Sequence, residues 1–316
     1  NNDGCEHLLA GIPLRFTFLG IFDTVASVGS SSMLRVAQGR MAWASADMLS
    51  IHPAVQKCVH FVALHEQRIN FPLDRAVDSN ATEVLYPGMH SDVGGGYAPG
   101  EQGKAMPAWG ASPQLSQIPL LDMHHEAFKA GVPLLSWEEI QSDPAASSFA
   151  CDSRLVSVYN DWLEHHGLPG GAPEDQIQAH TRQYIRWRSL RSLEGEGELV
   201  RQRFFVDAPE SERALLLSAQ RWKLSIFQQL QAPTLGNLLW TNTLADEFRR
   251  NDVPQAAVRL FDDYVHDSLA GFNVGGFAEF QIPGFRTSGY FRYRSVFTVS
   301  SGEVTEVCEL PEEARG

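Results

Sequence analysis

Several things are scarce in this 316-residue sequence, and each scarcity excludes something. There are four cysteines, Cys5, Cys58, Cys151 and Cys308. They are too scattered for a CxxC or zinc-type spacing, so neither a disulfide framework nor a structural metal is expected. They read as reduced thiols of a protein made in a cytosol. Positive charge is also short: 25 Lys and Arg against 38 Asp and Glu leave a net charge of −13. That is the wrong sign for a nucleic-acid-binding protein and for electrostatic adsorption to anionic lipid. The longest apolar runs, such as Phe16–Phe22 and Val59–Leu64, fall far short of the roughly 20 residues that span a bilayer. No signal-peptide pattern opens the sequence, and there is no internal repeat or low-complexity tract. A hydrophobic content of 43% excludes disorder and leaves enough apolar side chain for a sizeable core.

The first hundred residues alternate between β and α patterns. Arg15–Phe22 is an apolar run of strand length, read as a buried parallel strand. Ser32–Ile51 carries helical spacing, Val55–Leu64 and Thr82–Tyr86 read as further strands, and the Gly- and Pro-dense Pro87–Gly103 reads as loop. This order predicts an α/β fold whose parallel strands carry functional loops at their carboxyl ends. From about residue 113 the pattern turns helical. Leu155, Val158, Tyr159 and Trp162 form an i, i+3, i+4, i+7 face closed by Gly167, and Glu174–Leu193, Glu210–Leu230 and Leu235–Phe248 are further helix candidates. Gly289–Val299 and Glu303–Leu310 alternate around Ser300-Ser301-Gly302, predicting a hairpin. The expected division is an α/β core over 1–112, a helical cap or insertion over 113–255, and a return to the core over 256–316.

Two residues stand where α/β enzymes place chemistry. Asp23 directly follows the first strand, and His90 follows the third in VLYPGMHSDVGGGY. Acid then histidine, in that chain order, fits the second and third members of a Ser-Asp-His triad on an α/β-hydrolase. Asp23 also fits a simple cap, and His90 a plain loop histidine beside sterically required glycines. The triad's serine needs a G-x-S-x-G elbow, and the sequence contains none. Asp92 could support the His90 loop, and His266, in the polar triplet His266-Asp267-Ser268, could reach a site built elsewhere. His60, His65, Glu66, His90 and Asp92 have no spacing that favours a metal, and His60 suits a packed strand position. His124-His125 and His165-His166 suit solvated helix positions. Arg182, Arg186, Arg188 and Arg191 form a basic cluster beside Tyr184 and Trp187, which suits phosphate or lipid-headgroup contact, or else a solvated helix face.

FLGIFDTVASVG, HFVALHEQRINFP and VLYPGMHSDVGGGY together resemble the α/β-hydrolase domain of the type VI secretion phospholipase effectors, with looser likeness in YVHDSLAGF and GYFRYRSVF. The resemblance implies that Asp23 is the triad acid and His90 the triad base, with Ser91, Asp92 and the glycines shaping the base's loop. It implies hydrolysis of a glycerophospholipid ester through an acyl-serine, with no cofactor or metal. It further implies a secretion-machinery carrier, an immunity protein in the producing cell, and export from a bacterial cytoplasm into a target cell. The family's GFSRGA-like elbow has no counterpart here. The sequence opens with Asn rather than Met, so the chain is expected to be the C-terminal part of a longer enzyme with its nucleophile outside. The isolated chain is then expected to be inactive. The alternative is a non-catalytic interaction module that keeps the fold without the nucleophile. The helical region would dock on a membrane peripherally or simply pack as core.

Overall fold

The computed structural model describes residues 8–9, 12–25, 50–68, 71–76, 80–106, 112–144, 146–168, 170–192, 196–231, 243–271, 293–300 and 303–306. All but the last two residues of the expected helix over 32–51, most of the candidate over 235–248, and Cys5 and Cys308 lie outside them. Cys58 is buried and Cys151 half-buried.

A three-stranded parallel sheet carries the site. Strand β1 (Leu19–Phe22) pairs with β2 (Cys58–Ala63), and β2 pairs with β4 (Ala81–Tyr86), both in parallel register. Alternation along β2 sends Val59, Phe61 and Ala63 to one face, where they meet Met123 of helix α2 (Gln117–Lys129). Val62 and Leu64 enter the core on the other face. Burial on both sides explains why β2 reads as a continuous apolar run. β1 is shorter than its apolar run and only half buried, and Phe16, reduced to a single bridge with Val55, is exposed.

β3 (Leu73–Arg75) pairs in parallel with β5 (Val296–Ser300), which turns back antiparallel into β6 (Glu303–Glu306), so the expected hairpin forms. The segment 87–103 is not all loop. It contains the short helix α1 (His90–Gly94) and a 3₁₀ turn at Glu101–Gly103. Glycine density marked the turns around α1 and hid the five residues between them.

Beyond the sheet the chain is helical: α3 (Ser153–His165), α4 (Pro173–Leu190), α5 (Glu210–Gln231) and α6 (Gln255–Asp263), joined by shorter helices. α3 follows its predicted face, with Leu155 and Trp162 buried and Val158 and Tyr159 packed beside them. It is started by Asp152, whose carboxylate accepts the Arg154 N–H. Pro173 opens α4, where a missing N–H costs nothing. Ile177, Tyr184 and Trp187 of α4 and Leu260 and Phe261 of α6 share one buried cluster with Leu64, Leu73 and Met89 from the strand ends. The helices therefore pack against Leu64 and Met89, just beyond the ends of β2 and β4. Lys104, buried against Phe204, donates to the Phe261 and Asp262 carbonyls at the end of α6. Among the described residues no helix is long and apolar enough to cross a membrane.

Candidate active site

The sheet's carboxyl edge brings two of the predicted residues together. Asp23 leaves β1 with φ +46°, a left-handed conformation that aspartate tolerates better than most residues. Its N–H still donates to the Phe61 carbonyl, 2.7 Å, so the parallel ladder runs one residue past the strand and fixes the side chain's origin. The carboxylate is fully buried. Oδ1 accepts the Ala63 N–H at 2.8 Å, and Oδ2 lies 2.8 Å from Nδ1 of His90. Arg294, also buried, places Nη1 2.6 Å from Oδ1 and Nη2 2.7 Å from Oδ2. Burial alone would push this carboxyl up. The Arg294 guanidinium and the His90 hydrogen bond overcome that and hold it well below the usual carboxylate range.

His90 is the first residue of α1, reached through a tight turn. Gly88 sits at φ +118°, and a Cβ there would lie 2.5 Å from Cβ of Asp92, so only glycine fits. Gly88 and His65 are locked together: the Gly88 N–H donates to His65 Nδ1 at 2.9 Å, and the His65 N–H donates to the Gly88 carbonyl at 3.0 Å. The His90 N–H donates to Oε2 of Glu66, 3.1 Å, and its ring packs beside Phe71 with centroids 5.0 Å apart. Glu66 is buried. Burial works against its charge, but Arg68 outweighs this and keeps its carboxyl low. With an ionised Asp23 at Nδ1, that nitrogen donates its N–H to the carboxylate. His90 is 30% exposed, and no hydrogen bond to Nε2 is made among the described residues.

Asp92 and His266 also meet, but elsewhere. Asp92 turns back to accept the Met89 N–H, and His266 Nδ1 lies 2.6 Å from its other oxygen in a fully buried pair. Asp267 pairs with Arg188, and Ser268 Oγ donates to Glu66 Oε1 at 3.0 Å. The triplet thus splits three ways, as side chains adjacent in sequence must.

Other candidates have internal employment. His60 accepts the Thr24 N–H at Nε2, 3.1 Å, which leaves Nδ1–H to face Glu83, also 3.1 Å. It is a buried cross-link between strands. Among the described residues no three potential ligands gather into a metal site. The basic cluster of α4 and its C-cap is engaged internally and is not a solvated face: Arg188 pairs with Asp267, Arg191 with Asp262, Arg186 with Glu247, and Arg182 donates to the Tyr293 hydroxyl. Helical spacing showed four arginines on one helix but not the acids folded over them from α6 and its neighbours. His125 and His165 are exposed as expected, whereas His166 turns inward against Trp162 and His180.

Sequence reasoning gave no role to Arg294 and weighed Glu66 only as a metal ligand. Both are charged residues set at the ends of apolar strand runs, Glu66 after HFVALH and Arg294 before SVF. A charge at such a place must find a buried partner.

Residues 7–126 match the family described as type VI secretion phospholipase effector Tle1-like, catalytic domain. That span includes Asp23, Glu66, His90 and Asp92 and ends before His266 and Arg294. Among solved structures, the chain is similar to an uncharacterized protein from Pseudomonas aeruginosa at 24% identity and TM-score 0.68, over 96% of this chain and 54% of that one. A weaker likeness, 17% identity and TM-score 0.32 over 53% of this chain and 48% of that one, is to the Tle1 effector bound to the VgrG spike from the type 6 secretion system. The chain spans about half the length of both. No curated protein matches.

Proposed function

We propose that this chain supplies the acid and base of a serine phospholipase of the type VI secretion effector kind, on an α/β-hydrolase sheet. The observation that carries the reading is the 2.8 Å contact between His90 Nδ1 and a fully buried, ionised Asp23 at the carboxyl ends of parallel strands. The match of residues 7–126 to the effector catalytic domain supports the same substrate class, a glycerophospholipid ester.

In this reading Asp23 holds the imidazole in the Nδ1–H tautomer and stabilises its cation. Nε2 takes the proton of a serine hydroxyl as its oxygen bonds to the ester carbonyl carbon. The proton then passes to the leaving alcohol oxygen as the ester C–O bond breaks. A water molecule, deprotonated by the same nitrogen, releases the fatty acid from the acyl-serine. The serine comes from outside this chain. Among the described residues β1 pairs only with β2, so its other edge suits a strand carrying a nucleophile elbow. The domain reading follows: sheet and His90 turn as core over 1–112, helices over 113–255 as a cap that covers the strand ends, and 256–316 returning to close the site. Delivery by a secretion carrier, restraint by an immunity protein and peripheral contact with the target membrane belong to the same proposal.

The test is phospholipid-ester hydrolysis, with and without a serine-reactive fluorophosphonate, by this chain and by the full-length protein that contains it. Activity and labelling confined to the full-length protein are expected. His90→Ala in that protein should fold normally and lose more than about 10³-fold in kcat. Full turnover by His90→Ala overturns the assignment. Silence from the full-length protein favours the non-catalytic module, for which the missing elbow speaks.

A further inference from the structure

The chain holds a second acid–histidine pair that the proposed reaction leaves unused. His266 is 2% exposed and Asp92 1%, and Tyr97 stacks on the imidazole at 3.9 Å with the planes 10° apart. Nε2 of His266 is buried and has no hydrogen-bond partner among the described residues. A proton-transferring histidine must present Nε2 to substrate, as the partly exposed His90 does. His266 has no open face, so its chemistry lies in what it holds.

It holds the turn that carries His90. Asp92 Oδ1 receives the His266 ring at 2.6 Å, and Asp92 Oδ2 receives both the His266 N–H, 3.1 Å, and the Met89 N–H, 2.9 Å. Two residues along, Ser268 Oγ donates to Oε1 of Glu66, whose Oε2 accepts the His90 N–H. Two buried carboxylates therefore each bridge the 266–268 segment to one backbone N–H of the consecutive residues Met89 and His90. α1 has five residues, too few to be stable by its own hydrogen bonds. Its orientation must come from outside, and beside Asp23, His65 and Glu66 the residues His266 and Ser268, far along the chain, contribute to it.

We infer that His266 and Ser268 are positioning residues for His90, acting through Asp92 and Glu66. The inference rests on the Asp23–His90 reading above. Freed from this clamp, α1 rotates on its glycines and the imidazole leaves the line between Asp23 and the serine.

The experiment uses the full-length protein, a soluble short-chain ester, and amide hydrogen exchange over residues 88–94. His266→Asn keeps an N–H donor near the place of Nδ1, whereas His266→Leu has none. His266→Leu should lower kcat on the order of 10²-fold, as expected for a displacement of about 1 Å, with KM nearly constant. It should also speed exchange at Met89 and His90. His266→Asn should restore most of both. Ser268→Ala should cost about tenfold in kcat and speed exchange at His90, with Ser268→Thr recovering. It carries the same test if His266→Leu does not fold. If His266→Asn is as inactive as His266→Leu while exchange is normal, His266 acts chemically and the inference falls. It falls equally if exchange quickens and kcat does not change. Exchange needs no turnover. Should every form lack esterase activity, the functional reading fails, and unchanged exchange in His266→Leu would remove the clamp independently.

Discussion

Arg294 grips Asp23 with its two terminal guanidinium nitrogens, one to each carboxylate oxygen, while its Nε donates to the Phe71 carbonyl and Nη1 also reaches the Ala63 carbonyl. The two oxygens thereby receive four donors, from Arg294, Ala63 and His90. A carboxylate so engaged cannot rotate, and it holds its charge in a place where burial alone would neutralise it. Asp23 is thus kept ionised by Arg294 together with His90.

Arg294→Met should therefore strand a buried carboxylate and destabilise the fold by about 3–5 kcal/mol. Adding Asp23→Asn removes the stranded charge, so the double variant should be more stable than Arg294→Met alone. Urea unfolding of both singles and the double closes the cycle, and strict additivity would mean that the pair does not couple in solution.

Gly88→Ala tests the turn. The new methyl group meets Cβ of Asp92 at 2.5 Å and Cδ2 of Leu115 at 3.1 Å, on a backbone with φ +118°. Strain of about 1–3 kcal/mol is expected, together with a fall in kcat as Asp92 and α1 are pushed aside. A variant matching the parent in both thermal unfolding and turnover would show that the turn yields without moving His90.

A cluster of histidines beneath the site sets an acid sensitivity. His65 lies 5.3 Å from His180, which lies 5.3 Å from His166, with Trp162 and Tyr184 alongside. Burial, then the neighbouring imidazoles, hold His65 well below its ordinary value and bring His180 down to about 3; burial lowers His166 too. The folded protein keeps these rings neutral while the unfolded chain protonates them near 6.5. As pH falls from about 6.5 toward 3 the unfolded state binds more protons and stability drops, by at most about 1.4 kcal/mol per pH unit for each ring. His180→Leu should flatten that slope between pH 6.5 and about 5, above the range where the depressed carboxylates Asp23, Glu66 and Asp267 begin to contribute. Urea midpoints at pH 7, 6 and 5 provide the check, and equal slopes in both proteins would refute it.

β1, β2, β4, the hairpin, α3, α4 and α5 were legible from a local pattern, whether an apolar run, period 2 or period 3.6, whereas the three-residue β3 was too short to show one. Asp23 and His90 were legible because chemistry at a sheet edge follows from strand order. Position alone could not bring them together; the contact depends on Asp23 adopting φ +46° and on Gly88 turning the chain back. Arg294, Glu66 and Ser268 were illegible for a different reason. Their roles lie wholly in pairings across long stretches of chain, and a single sequence records no partner for a lone charge. The α4 arginines misled in the same way, since the acids that neutralise them are folded in from distant segments.

The distance along the chain between Asp23 and Arg294, 271 residues, sets an order of events. During synthesis at about 5–20 residues per second, roughly 15 to 55 s separate the emergence of the acid from that of the cation that stabilises it. Through that interval the sheet edge can form only with its aspartate hydrated. The site's final geometry waits for Arg294. An incomplete nascent chain therefore carries the acid and the histidine without the arrangement that makes them a pair.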